Sequence, residues 1–172
     1  MKGGLRKSRP NQQRALDYIT MSLEEIKNFH AIFFRETAAK NHNVFMWTID
    51  KYLHDAEKIM YELGYTLHAR MVWDKGNGIA PAFTVRFTHE YLLWFYPRGH
   101  MYKPNANVRG KYTTVLREKA TIHSKKPDAA YEMLEAMFPE ANKVELFARN
   151  IRAGWTSFGD ELPTDRISTT ST

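Results

Sequence analysis

A carboxylate set inside an apolar run is the first chemical signal in this chain: Glu145 stands between Val144 and Leu146, with Arg149 four residues on. A buried carboxylate is costly unless a cation or hydrogen bond answers it. The two residues therefore read either as a plain Glu–Arg pair at a strand end or as a pair that organises a polar ligand. Lys126, Asn150, Asp160 and Glu161 gather around them, within the stretch from His123 to Leu162. That stretch reads as a loop, an amphipathic helix, a turn, a strand and a polar loop carrying Gly154-Trp155. Open α/β folds bind ligands just outside the carboxyl ends of their strands, so a ligand is expected there. His89-Glu90 opens another apolar run beside a basic loop and reads as a strand-end pair. Trp47, Trp73, Trp94 and Trp155 fall near strand ends or in the last loop, as core residues or as stacking walls for a base drawn out of a helix.

Other chemistries find no support. The chain has no cysteine, and its seven histidines show no ligand spacing such as HExxH, so no metal site is expected. Gly76-Asn77-Gly78 is too short to cradle phosphates, and no GxGxxG or Walker loop is present. A length of 172 residues suits one domain, and the net charge of +6 favours an anionic partner or simply solvated faces. No apolar run approaches a membrane span or a signal peptide, which makes the cytoplasm the default compartment.

The elements that must position these residues can be read in order. Residues 1–17 are basic and glycine-containing, an expected flexible arm. Ser22 and Glu25 form a capping box opening a helix that ends before the Lys40–Asn43 turn. Asn43–Thr48 reads as a strand, Lys51–Leu63 as a helix stopped by Gly64, Tyr65–Trp73 and Thr88–Tyr96 as strands. Residues 99–111 are loop-like. Pro127–Phe138 reads as a helix with Pro127 at its first position, and Val144–Phe147 as the last strand. Residues 163–172 read as a disordered tail. Strands alternating with helices predict one α/β domain over residues 18–162 with a mostly parallel sheet.

Four segments carry a family resemblance: Tyr18-Ile19-Thr20-Met21-Ser22; Phe45-Met46-Trp47-Thr48; Val72-Trp73-Asp74-Lys75-Gly76-Asn77 with His89-Glu90; and H-S-x-K-P-D, E-L-F-A-R and G-W-x-S-x-G from His123 onward. Over Tyr18 to Leu162 the chain resembles the permuted-class N6-adenine methyltransferases of the MT-A-seventy-like family. The resemblance implies a Rossmann-like, three-layer methyltransferase sandwich, with S-adenosylmethionine as cofactor and nucleic acid, DNA rather than RNA, as partner. It implies that Lys126 holds the cofactor's carboxylate, that Arg149 and Asn150 serve the ribose hydroxyls with Glu145 orienting them, and that Asp160 and Glu161 read the adenine ring. Asp160 stands where the family carries Asn, and an ionised Asp only accepts hydrogen bonds. Tyr18, Trp47, Trp73, Lys75 and Glu90 would surround the target base. Arg86, Arg98, Lys103, Arg109 and Lys111, in the loops 76–87 and 97–119, would meet phosphates.

One departure stands out. The family's catalytic signature, D-P-P-W on a strand shortly before Y-x-T-M-S, does not occur in these 172 residues, so no catalytic residue is assigned. The resemblance then implies a sheet lacking its N-terminal catalytic strand, with apolar surface left exposed. It leaves open a coding start set inside a longer enzyme, a degraded remnant, or an inactive nucleic-acid-binding or partner subunit.

Overall fold

The computed structural model describes residues 20–78, 84–121, 125–159 and Leu162. Tyr18, Asp160, Glu161 and the expected arm and tail lie outside the described residues. Helix α1 (Leu23–Thr37) belongs to a first compact unit, residues 1–39, and everything that follows to a second, residues 40–172. The capping box of α1 forms as its sequence predicts: the Ser22 hydroxyl accepts from the Glu25 N–H, and the Glu25 carboxylate accepts from the Ser22 N–H at 2.7 Å.

In the second unit, β1 (Val44–Thr48), α2 (Leu53–Glu62), β2 (Tyr65–Asp74), β3 (His89–Pro97) and β4 (Val115–Arg117) come first. They are followed by α3 (Asp128–Met137), β5 (Lys143–Leu146) and β6 (Trp155–Phe158). Gly64, at φ 86, ends α2 in the left-handed turn expected of it. Pro127 caps α3 from outside the helix rather than opening it, a shift of one position. The strand after residue 143 is not the last, because β6 follows and pairs with it, and β4 joins the main sheet although its three residues carry no strand pattern of their own.

The main sheet has the order β1-β3-β2-β4, and β5-β6 form a second, two-stranded sheet. The expectation of a mostly parallel sheet is corrected: β3 runs antiparallel to both β1 and β2, while β2–β4 and β5–β6 are parallel, so the sheet is mixed. The cause lies in the connections. A helix joins β1 to β2 and carries the chain back to run in the same direction, whereas the connection from β2 to β3 has no helix among its described residues and returns the chain antiparallel. Strands β1, β2 and β4 consequently share one direction, with β3 inserted between the first two.

The architecture is α/β in three layers, consistent with a Rossmann-like methyltransferase fold. On one face of the sheet Met71, Trp73, Leu92, Trp94 and Leu116 pack against Ala130, Met133, Leu134 and Phe138 of α3. On the other, Phe95 meets Tyr61 of α2, and Arg70 forms an ion pair with Glu57. Met60, Leu92, Leu93, Phe95 and Met133 are at most 1% exposed, each contributing about 1.5–3 kcal/mol of burial. A β-bulge at His68 shifts the β2–β3 register between Leu67 and Ala69, so Leu67 shares the α2 face with Phe95 while Ala69 shares the α3 face with Trp94. Among the described residues no helix is long and apolar enough to cross a membrane.

Candidate functional site

The α3 face of the sheet is apolar until its edge. At the carboxyl ends of β1 and β2 it changes character. Trp73 pairs with Glu90 across β2–β3, Trp47 pairs with Leu92 across β1–β3, and the Lys75 N–H continues the ladder to the Thr88 carbonyl at 3.0 Å. The alternation of a pleated strand thus sends Trp47, Trp73, Lys75 and Glu90 to one corner. Lys126, just before α3, completes it from the helical layer.

Glu90 is the centre of this corner. Its two carboxylate oxygens take separate partners, Lys75 Nζ at 2.9 Å and Lys126 Nζ at 2.5 Å, and its side chain is 15% exposed. Burial pushes the Glu90 carboxyl up, but hydrogen bonds and charge from Lys126 and Lys75 together overcome it and leave the group below its ordinary value. Glu90 is therefore ionised at neutral pH. Lys126 Nζ also lies over the Trp47 ring at 5.1 Å and Lys75 Nζ over the Trp73 ring at 5.9 Å, while the two indoles meet edge to face at 6.0 Å. The His89–Glu90 reading as a single strand-end pair is corrected: the two point to opposite faces, and His89 meets the Tyr91 hydroxyl at 3.1 Å.

A second polar cluster joins α3 to β5 and β6. Arg152 grips Glu135 with Nε at 2.6 Å and Nη2 at 3.1 Å and reaches Asp128 through Nη1 at 3.3 Å. The Trp155 indole N–H donates to the same Glu135 carboxylate at 2.8 Å. Hydrogen bonding from Arg152, against a smaller opposing effect of burial and with further help from Trp155, draws the Glu135 carboxyl down to about 2. Arg152 thus bridges Asp128 in the first turn of α3 and Glu135 in its last, and the loop after β5, with Arg149 and Asn150, leads into it.

Glu145 departs from its expected pairing. It is half-buried rather than buried, and its carboxylate accepts from the Tyr131 hydroxyl at 2.6 Å instead of taking Arg149. Burial, reinforced by that hydrogen bond, pushes the Tyr131 phenol up. Phe147, at φ 59, turns the chain out of β5 toward Arg149, which is half-buried, and Asn150, which is exposed. Gly159 closes the region: a Cβ there would overlap the Ala148 backbone, whose N–H donates to the Phe158 carbonyl at 2.9 Å.

A family model described as MT-A70 matches residues 5–161 of the chain. The chain belongs to the MT-A70 family. Among its relatives is the type II methyltransferase M.MunI of Mycoplasma sp, 30% identical over 153 residues that cover 87% of this chain and 62% of that protein. The N(6)-adenosine-methyltransferase MT-A70-like of Arabidopsis thaliana is 29% identical over 153 residues, 86% of this chain and 22% of that one. The N(6)-adenine-specific methyltransferase METTL4 of Homo sapiens is 45% identical over 48 residues, 28% of this chain and 10% of the human protein. The chain thus spans less than two thirds of the length of each of these relatives.

Within the MT-A70 frame, two groups kept apart in sequence are brought together. Lys126, expected on the cofactor side, directly contacts Glu90 and Trp47, expected on the base side. The expected phosphate-contacting residues divide instead. The Arg98 N–H is tied to the Gly64 carbonyl, and Lys103 lies between Tyr102, which packs on Phe138, and Asn105, whose N–H donates to the Met137 carbonyl. Arg98 therefore follows the end of β3 opposite to Glu90, and Lys103 lies near the C-terminal end of α3. Exposed Arg117 and Lys119, which the sequence did not single out, lie at and just after the end of β4. Glu118, Tyr131, Glu135 and Arg152 were also missed. Their side-chain partners lie 10 to 24 residues away in sequence, and no local pattern announces them.

Proposed function

We propose that the chain carries the cofactor-and-base end of an S-adenosylmethionine-dependent enzyme that methylates N6 of adenine in nucleic acid. The observation that carries this reading is Glu90, held between Lys75 and Lys126 and walled by Trp47 and Trp73 where like-directed strands end. The donor set fits the cofactor. Each lysine has three N–H donors and gives one to Glu90, so Lys126 keeps donors for an amino-acid carboxylate while Glu90 restrains its direction. Arg149 and Asn150, in the loop after β5, would serve the ribose hydroxyls, and Asp160 and Glu161 the adenine ring. When bound, the cofactor supplies a methyl group activated on a sulfonium. Trp47, partly exposed, offers an apolar face for a base taken out of its stack, with buried Trp73 behind it and Lys75 and Glu90 at its polar edge.

DNA is favoured by the type II methyltransferase of Mycoplasma, of which the chain covers the largest share among the relatives named above. The N(6)-adenosine name of the Arabidopsis relative supports RNA as the second reading. Calorimetric titration of the folded chain with S-adenosylmethionine tests the cofactor site, and saturable one-to-one binding is expected. Competition between adenine-containing DNA and RNA strands of one sequence, followed by fluorescence anisotropy, ranks the substrates. A folded chain that binds nucleic acid but no S-adenosylmethionine would instead be a binding subunit.

A further inference from the structure

We propose that Glu118 is a positioning residue of this site, one that sets Lys126 and Trp73 where they meet Glu90. The inference rests on the functional reading above for its purpose, but its geometry stands alone. The first N–H groups of any helix lack partners within it, and Pro127, at the cap position of α3, has no side chain able to supply one. Glu118, from the end of β4, fills the vacancy. One carboxylate oxygen accepts from the Asp128 N–H at 3.0 Å and the other from the Ala129 N–H at 2.8 Å. Anionic groups are favoured at this end of a helix by its dipole. Lys126 is two residues from the first of these bonds, so the point from which its ammonium reaches Glu90 depends on how α3 begins.

The backbone of the same residue grips the other wall. The Glu118 carbonyl accepts from the Trp73 indole N–H at 2.7 Å, and the Glu118 N–H reaches the Asp74 carbonyl at 3.3 Å. The Ala120 N–H then donates to the Lys75 carbonyl at 2.9 Å. A single residue thus links the end of β2, the Trp73 ring and the start of α3. Without its carboxylate, β4 and α3 lose their direct polar tie, and the distance between Lys126 and the Trp47–Trp73 wall is no longer set from that side.

The test reads the site without a ligand. The Glu90 carboxyl is followed by carbon-13 NMR across acid pH, and the Trp73 indole N–H by its proton–nitrogen resonance, in the wild-type chain, Glu118→Ala, Glu118→Gln and Arg152→Met. Glu118→Ala is expected to move the Glu90 midpoint upward, toward an ordinary carboxylate, and to displace the Trp73 resonance. Glu118→Gln, whose amide oxygen can still accept, should move both less. Arg152→Met, which loosens α3 from its other side, should lower the melting temperature while leaving both signals in place. A folded Glu118→Ala chain with wild-type signals overturns the proposal, as does an Arg152→Met chain that moves them equally. If Glu118→Ala does not fold, an unchanged Glu90 midpoint in Glu118→Gln overturns it. S-adenosylmethionine affinity should fall about tenfold in Glu118→Ala, with that for 5′-methylthioadenosine, which lacks the carboxylate, unchanged. If the wild-type chain binds no S-adenosylmethionine, the functional reading falls, while the NMR comparison still decides the role of Glu118.

Discussion

Two carboxylates, Glu90 and Glu135, each sit among cations and indoles, yet they are built for different ends. Glu135 receives a two-pronged Arg152 and the Trp155 N–H, and Arg152 uses its remaining arm on Asp128. A guanidinium fork matched to a carboxylate is rigid and closed. Glu90 receives two lysines, point cations on flexible stems, each with N–H donors to spare, and both lie over tryptophan rings. The first arrangement locks α3 to β6. The second holds charge ready at the mouth of an aromatic wall. The lesson is that the kind of cation, more than the depth of a carboxylate, separates a staple from a site.

Exchanging the cations for neutral side chains should break the comparison most visibly. Lys126→Met is expected to weaken S-adenosylmethionine binding about 10- to 100-fold, the worth of a charge-assisted hydrogen bond, with little change in melting temperature. Arg152→Met should do the reverse: a loss of about 1–2 kcal/mol of stability, seen as a melting temperature lower by about 2–8 °C, with ligand affinity within threefold. Calorimetric titration and thermal unfolding of both variants decide the matter. Equal effects on binding would erase the distinction.

Acid should sharpen it. The Glu135 carboxyl lies at about 2 in the folded protein against 4.5 ordinarily, so its contribution is complete above 4.5 and is lost as pH falls toward 2. The Glu135 side chain is 35% exposed, and solvent screening keeps the effect modest. Thermal unfolding between about pH 5 and pH 2 should therefore show a shallower acid decline in Glu135→Gln than in wild type, the remaining slope including the lowered Glu90. The smallest change should come from Tyr131→Phe. It removes the hydrogen bond to Glu145 and should cost about 0.5–1.5 kcal/mol in chemical unfolding, with no change in ligand affinity.

Local pattern made much of this legible. The Ser22–Glu25 box, the apolar stripe ending at Gly64, and the β1, β2 and β3 runs all reappear within a residue or two of their expected bounds. These signals are carried by neighbours in sequence. Strand direction is not, and β3 reverses because the loop after Lys75 contains no helix among its described residues. Short β4 was illegible for another reason, since three residues borrow their strand conformation from β2. Trp47, Trp73, Lys75, Glu90 and Lys126 were singled out as candidates through motif resemblance, but their mutual contact was not. Lys126 meets a carboxylate 36 positions earlier, a separation no periodicity encodes. Glu145 misled for the opposite reason: the cation four residues on, Arg149, was not its partner in space.

The bulge at His68 has a consequence for chemistry as much as for shape. Strands deal their side chains alternately to two layers, and one supernumerary residue reverses the deal for everything downstream. Upstream of His68, odd-numbered positions of β2 go to the α2 layer; beyond it they go to the α3 layer, delivering Met71, Trp73 and Lys75 to the side where Glu90 and Lys126 wait. Removing that one residue would keep every other letter of β2 and yet hand the indole and the ammonium to the wrong side of the sheet. The pocket is thus a matter of phase: a single uncounted beat, five residues before Trp73, decides on which side of the sheet it can exist.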